Sequence, residues 1–332
     1  MTSLGITVKL VEYTKDAPKI IAAASKMSVS RKTSTDLLNI SNEEVDLWIK
    51  ETLKRGHLSP WEHSSYTFIV EGCSRVCSHQ LVRHRIASYT QQSMRYTEAS
   101  LRDIAVKAGR LIGLECPTKP KGGLAREAYQ CYAKSLETAA NSLSLDKVAE
   151  LANQAYVIPP SILVNSSKLD MFARSLLYVT SRYYQALYLG TLKEDARFII
   201  PMAVRTKVTF TMNGRELIQS FLPLRMCSHA QWEIRHVAWL TWQELIKVHP
   251  QLFKYAGPSC VLLNNSQLEE PMPLESYLNG TVSFIIPRCP ELISRDKIPS
   301  CLLFASRSLR GSPLEMSSAS PGEDETRGTG QA

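Results

Sequence analysis

The chain has 332 residues, 44% of them hydrophobic, which suits one large domain or two ordinary ones with a sizeable core and excludes global disorder. A formal charge of +8 and a pI of about 9.0 suit anionic partners: nucleotides, phosphorylated cofactors or nucleic acid. No apolar run approaches the length of a membrane span, and the N-terminus lacks a basic-then-apolar leader, so a soluble cytoplasmic protein with no membrane partner is expected.

In chain order, Val8 to Glu12 alternates as a strand. Ser41 and Glu44 form a capping box ahead of Val45, Trp48, Ile49 and Leu53 at helical spacing, and Gly56 is placed to end that helix. Ser65 to Val70 reads as a strand with Tyr66, Phe68 and Val70 on one face. Arg75 to Arg85 reads as a helix. Residues from about 101 to 155 look like a helical insertion, with helices over Leu124–Ala140 and Leu145–Ala155 after the loop "PTKPKGG". Asp170 to Leu189 is a long helix closed by Gly190. Lys207 to Met212 alternates as a strand, Asn213-Gly214 is a turn signal, and a short helix opens near Glu216. Ala230, Ile234, Val237, Ala238, Thr241 and Leu245 line one face of a helix that Pro250 stops. Residues 257–305 hold short apolar runs between prolines and are ambiguous; 306–332 are rich in Ser, Gly and Pro and are expected to be disordered.

The eight cysteines are scattered without a C-x-x-C pair, which argues against a zinc ribbon or a thioredoxin-type site. No metal is expected, and the thiols are expected to be reduced. Cys73 and Cys77 stand four apart, as two small buried thiols on one helix face would.

The densest chemistry lies in "LVRHRIASYTQQSMRYTE", Leu81 to Glu98. Between Gly72 and Thr97 there are four arginines and no acidic residue. A solvated basic face usually interleaves acids with its bases. Guanidinium forks instead match phosphate oxygens two bonds at a time, so an anion site is favoured. On a helix, Gln80, Arg83 and His84 share a face; beyond it, Gln91, Ser93 and Arg95 alternate and point one way from an extended loop. A nucleic-acid groove would add lysines and more aromatics, so a compact nucleotide is the better reading and no nucleic acid is expected. In "GHLSPWEHSSYTF", His57, Ser59, Glu62 and His63 form a polar turn ahead of a strand; a loop beside a ligand is favoured there over a metal. Arg197 in "EDARFIIP" reads by itself as a helix-end salt bridge. Arg225 precedes an amphipathic helix whose polar members are His229, Gln231, Glu233 and Arg235, and a cation at a helix start hints at another purpose.

Arg-His-Arg followed after seven residues by Ser resembles the signature of the flavin-dependent thymidylate synthases (ThyX family). "GHLSPWEHSSYTF", "SRVCSHQLVRHR", "SMRYTE", "EDARFIIP", "MNGREL" and "LRMCSHAQWEIR" occur in the family's order, over roughly 7–100 and 156–256. The resemblance implies an α/β (α+β) subunit, a central antiparallel sheet flanked by helices, assembled as a homotetramer with sites between subunits. It divides the chain into a catalytic domain over 1–256 with the insertion, an extension over 257–305 and a tail over 306–332. It implies conversion of dUMP to dTMP with methylenetetrahydrofolate as carbon donor, FAD as hydride carrier and NADPH as reductant, with no enzyme nucleophile. Carried over by position, Ser59, Arg83, His84, Arg85, Asn213, Arg215 and Gln219 are expected at FAD. Gln80, Arg83, Gln92, Ser93, Met94, Arg95 and Arg197 are expected at dUMP, Gln91 where the two ligands meet, and Arg225 at the uracil, favouring its ionisation. Thr90 and Gln91 stand where the family commonly has Asn and Glu. One extra residue separates Arg215 from Arg225, leaving Gln219 or Ser220 for one FAD position. An FAD- and nucleotide-binding paralogue without methyl transfer is the alternative.

Overall fold

A computed structural model describes residues 4–312 and 316, less 32, 34, 37–38, 97 and 120–124. It has a four-stranded sheet of β1 (Thr7–Tyr13), β2 (Ser65–Ser74), β3 (Ala87–Gln91) and β4 (Arg205–Asn213) in the order β1-β2-β4-β3. The mixed fold with an antiparallel sheet is as expected. The chain divides into two compact units. Met1–Gly5, Gly72–Ser78 and Gln91–Lys207 form the first; Ile6–Glu71, His79–Thr90 and Val208–Ala332 form the second. The domain expected over 1–256 therefore contributes to both units, and 257–305 belongs to the second.

In the second unit β1 and β2 pair antiparallel, with Leu10 opposite Phe68 and an irregularity between Leu10 and Glu12. The alternation of β2 buries Tyr66, Phe68 and Val70, and Phe68 stacks on Phe210 of β4 at 5.0 Å. The helix Asn42–Arg55 starts and stops where its signals lie: Ser41 Oγ accepts from the Glu44 amide at 3.3 Å, and Gly56 takes φ 67°, a left-handed cap. The helix Trp232–Val248 buries Ile234, Val237, Ala238, Thr241 and Leu245, and Glu244 accepts from the β1 amide of Leu10 at 3.2 Å. Two of its expected polar members are interior instead: Glu233 is 1% and Arg235 4% exposed. Arg235 is buried because it has a job there, donating to Ser308 Oγ and to the carbonyls of Ser228 and Ala230.

That contact moves the boundary of the tail. Arg307–Arg310 is a 3₁₀ turn with Ser308 buried, so ordered structure runs past Ser306, while 313–315 and 317–332 lie outside the described residues. The ambiguous segment is helical at Ser259–Asn265, Leu274–Leu278 and Ile298–Ser306. Buried Asn264 organises it: Oδ1 accepts from the amides of Ile285 and Ile286, and Nδ2 donates to Tyr277 Oη.

The first unit is mainly helical. Ala99–Leu111, Ala125–Ser142, Leu145–Ala155 and Ser166–Tyr188 pack around one apolar core, and alanines such as Ala128, Ala139, Ala152 and Ala173 let them approach closely. The insertion thus shares its core with the long helix expected from Asp170, which begins earlier because Asn165 caps it through the Lys168 amide at 2.9 Å. Ala99–Leu111 had no counterpart in the sequence reading. The expectation of reduced thiols fails here: Cys116 and Cys131 form a disulfide, their Cα atoms 5.7 Å apart. Cys73 and Cys77 are both buried, but on β2 and on the helix Arg75–Leu81 rather than on one helix. At Gly72, with φ 77°, a Cβ would stand 2.1 Å from the Gly5 carbonyl oxygen, so a side chain there is excluded.

The disulfide closes a separation of 15 residues, and the chain-entropy relation assigns such a loop about 3 kcal/mol. Cys131→Ser is expected to lower unfolding free energy by about that amount in chemical denaturation, and reductant should have no further effect on the variant.

Candidate active site

The helix that opens the arginine-rich stretch spans Arg75–Leu81, four residues short of its expected end. The chain turns there because the Arg83 and His84 amides donate back to the carbonyls of Gln80 and Leu81, and Tyr89 Oη donates to the carbonyls of Leu81 (2.9 Å) and His84 (2.7 Å). Gln80, Arg83 and His84 therefore do not share one helix face. His84 is buried, and Arg83 and Arg85 on either side of it are exposed. The triplet points a neutral ring inward and two cations outward.

In the second unit His84 is held from both sides. Arg225 Nε donates to His84 Nε2 at 3.0 Å, and Arg225 also reaches the side-chain and backbone oxygens of Gln80 at 3.5 and 3.3 Å. Since Nε2 accepts, the proton of the neutral ring is on Nδ1, which lies 3.1 Å from both Glu216 Oε1 and Ser220 Oγ. Burial pushes the His84 pKa below the ordinary value; Glu216 opposes that shift and the Arg225 charge adds to it. The result is a neutral imidazole that orients a guanidinium. Burial and the nearby Glu216 charge also raise the Tyr89 pKa, so its hydroxyl remains a donor.

Asn213-Gly214 is a helix start, not a hairpin turn: Asn213 Oδ1 accepts from the Glu216 amide at 2.8 Å. The chain continues through a π-helical turn, Leu217–Phe221, into the short segment Leu222–Arg225. A π turn takes up one more residue than an α turn, which would suit the extra residue that the resemblance implies before Arg225. It sends Ser220 toward His84 and leaves Gln219 accepting from Arg215 Nε at 2.8 Å. Arg225 closes this segment instead of opening the next helix, so the dipole argument about it fails: a cation at a helix C-terminus is favourable. Arg215 is also paired with Glu62 at 2.5 Å. Ser59 begins the 3₁₀ turn Ser59–His63, fixed by buried Trp61, whose indole donates to Thr52 Oγ1 at 3.0 Å. Ser59, His57 and His63 line an open cleft with Trp48, Thr52 and Arg55.

The first unit holds the other candidates. Gln91 ends β3 and its side-chain amide donates to Ser78 Oγ (2.8 Å) and Thr206 Oγ1 (3.3 Å), where a carboxylate would have to accept from the hydroxyls instead. Gln92 lies beyond the strand, where its amide donates to the Lys207 carbonyl and its carbonyl accepts from Arg75. Ser93 to Tyr96 is a turn, not the extended loop expected, because the Tyr96 amide donates to the Ser93 carbonyl. Met94 packs onto the helical core and pins that turn. Arg95 lies over the Tyr96 ring and 3.8 Å from Glu194; Arg197 Nε donates to the Glu194 carbonyl at 3.0 Å. Among the described residues the salt-bridge reading of Arg197 is thereby reduced to a backbone contact with Glu194.

One residue escaped the sequence reading. Arg75 starts the helix Arg75–Leu81, its buried Nε has no hydrogen-bond partner, and burial together with the Arg197 charge lowers its pKa. A buried, unpaired guanidinium nitrogen beside a second arginine is a place for an anion. The signal was available: a cation at a helix N-terminus is electrostatically misplaced, an argument spent on Arg225 that belongs to Arg75.

A family model described as thymidylate synthase complementing protein matches residues 9–251. Among curated proteins, the chain is 53% identical over 302 residues to a flavin-dependent thymidylate synthase of Aeropyrum pernix, covering 90% of this chain and 93% of that one. A second, from Sulfurisphaera tokodaii, is 38% identical over 299 residues, covering 90% and 96%. The fold is similar to that of a Helicobacter pylori flavin-dependent thymidylate synthase solved with FAD and dUMP, at a TM-score of 0.51 and 21% identity, covering 76% of this chain and 99% of that one. The chain belongs to the flavin-dependent thymidylate synthase family.

The state of His84 is open to direct observation. Its ¹⁵N resonances should titrate below the ordinary histidine range, Arg225→Gln should raise the midpoint, and Glu216→Gln should lower it further. The unfolded chain binds protons that the folded His84 refuses, so the contribution of this group to stability is complete above about pH 6.5 and falls as pH drops below it.

Proposed function

We propose that this protein makes dTMP from dUMP, with methylenetetrahydrofolate as carbon donor and NADPH as reductant. Family membership supports the reaction, and the Arg225–His84–Glu216 arrangement supports this chain's capacity to perform it. The residues present suit FAD: the cleft lined by His57, Ser59 and His63 lies in the same unit as exposed Arg83 and Arg85, cations that suit a pyrophosphate, and as half-buried Arg215. Asn213 and Gln219 act on that segment through its cap and through Arg215. FAD, when bound, supplies hydride transfer, which no protein side chain can.

The work of this chain is to position and to set charge. Arg225 presents donors to the uracil and stabilises negative charge that develops on the ring. His84 keeps that guanidinium in place while remaining neutral, so it adds no competing positive charge. Gln80 fixes the opposite edge of Arg225. Arg75, Arg95 and Arg197 gather positive charge for the nucleotide phosphate, with Gln91, Gln92, Ser93 and Met94 shaping the turn that carries Arg95. In this reading Ser93 binds and does not attack; its hydroxyl accepts from the Arg95 amide and so shapes the turn. Assembly as a homotetramer, with sites shared between subunits, is supported by the exposed apolar side chains around Arg197: Leu189, Leu192 and Phe198, the last 84% exposed.

The deciding assay supplies FAD, NADPH, methylenetetrahydrofolate and dUMP and measures dTMP. Formation of dTMP is expected, and its absence with flavin and dUMP bound would favour a binding paralogue. Arg225→Ala should lower kcat by about 10²- to 10³-fold, as removal of one transition-state donor does, and Arg83→Ala should weaken retention of the flavin. Arg75→Gln and Arg197→Ala should each raise KM for dUMP by about one to two orders of magnitude while flavin retention stays unchanged.

A further inference from the structure

Arg95 and Arg197, two of the three cations proposed for the nucleotide phosphate, stand in the first unit on separate short turns. Arg95 lies within the turn Ser93 to Tyr96, and Arg197 follows the single helical turn Lys193–Ala196. The contacts described between these turns are slight. Arg95 and Glu194 are 3.8 Å apart with side chains 49% and 53% exposed, and an ion pair that open to water contributes little. Arg197 adds one bond to the Glu194 carbonyl. A firmer tie comes from Glu98.

Glu98 stands three residues after Arg95, at the N-cap of the helix Ala99–Leu111, where the helix dipole favours a carboxylate. Its side chain makes no cap bond to that helix. Its oxygens turn to other partners: Oε1 accepts from Lys193 Nζ at 2.8 Å, and Oε2 accepts from Tyr183 Oη at 2.6 Å. Lys193 begins the helical turn that leads into Arg197, and Tyr183 is a buried member of the long helix Ser166–Tyr188. One carboxylate therefore joins the segment carrying Arg95 to the segment carrying Arg197 and fastens both to the helical core. The Glu98 side chain is only 10% exposed, so water and salt screen this tie far less than the pair of Arg95 with Glu194. Burial raises the Tyr183 pKa and the Glu98 charge adds to it, so that hydroxyl stays a donor. Burial alone would lower the Lys193 pKa, but the bond to Glu98 and its charge carry it upward, so the ammonium stays charged.

We infer that Glu98 is a positioning residue for dUMP: through Lys193 and Tyr183 it holds Arg95 and Arg197 at the spacing that receives the nucleotide phosphate. The inference rests on the functional reading above, in which those arginines meet the phosphate. Glu98 does not touch the phosphate itself, since two anions repel. That repulsion gives the inference a sign. Acting only through its charge, Glu98 would oppose dUMP, and its removal would tighten binding. Acting by holding the arginines, its removal lets them separate and weakens binding, because guanidinium–phosphate contacts of two parallel bonds demand a fixed geometry.

The test compares dUMP with deoxyuridine, which lacks the phosphate, by calorimetric titration of the full-length, FAD-loaded protein. The unaltered protein should bind dUMP more tightly than deoxyuridine. Glu98→Gln should weaken dUMP binding by about tenfold, the scale of one lost hydrogen bond to a charged group, while deoxyuridine affinity and flavin retention stay unchanged. Glu98→Asp keeps the charge and shortens the arm, so it should weaken dUMP in the same selective way; it decides the matter if Glu98→Gln fails to fold. In turnover the effect should fall on KM for dUMP, with kcat at saturating dUMP unchanged. A loss shared equally by dUMP and deoxyuridine marks general loosening and overturns the inference. So does a folded variant that binds dUMP as well as the unaltered protein, or better. An unaltered protein that binds dUMP no better than deoxyuridine overturns the phosphate reading itself, and this inference with it.

Discussion

The hydrogen bond from Arg225 to the Nε2 of His84 is the contact on which the candidate site depends. It works only if the imidazole is neutral, and it stays neutral because the ring is buried beside a guanidinium. Glu216 and Ser220 then receive the Nδ1 side and fix the tautomer. A protonated His84 would face Arg225 with a donor and a like charge. The site thus spends a histidine on orientation, and the guanidinium it orients keeps its charge for the substrate.

Several local devices converge on that contact. The Tyr89 hydroxyl takes the carbonyls at the end of the helix Arg75–Leu81 and turns His84 inward. The Asn213 cap starts the segment that carries Glu216, and the π turn sets Ser220 and Arg225 in register with the ring. After Arg225 the chain enters the loop of Cys227, which is tied both to the helix Trp232–Val248, through Trp239 and the Met226 carbonyl, and to the C-terminal segment. Arg235 and His236 grip Ser308, and a cavity lined by Cys227, Cys260, Cys289 and Cys301 joins the same two regions. The extension therefore reads as a brace on the loop behind Arg225, not as an appendage.

Much of this was legible in the sequence where the signal is local. The N-cap at Ser41, the Gly56 stop and the alternation of β2 rest on contacts within a few residues and stand as read, although the Glu44 carboxylate is engaged by Lys26. The misreadings share a different cause. The helix predicted to Arg85 ended at Leu81 because a tyrosine from the next strand claimed its carbonyls. Arg235 looked like a surface residue until its partners, one of them 73 positions away, were in place. The Cys116–Cys131 bond and the convergence of the four cysteines are likewise tertiary facts that spacing along the chain does not encode. Of the site, the residue types came from motif order, whereas the roles of His84, Ser220 and Arg75 required geometry.

The central claim is that this chain couples flavin reduction to methyl transfer onto dUMP. The most direct measurement is the visible absorption of the purified, FAD-loaded protein under anaerobic conditions. NADPH should bleach the flavin band, and the band should return only when dUMP and methylenetetrahydrofolate are added together. A band that stays bleached with both present, or that returns with either alone, would contradict the account.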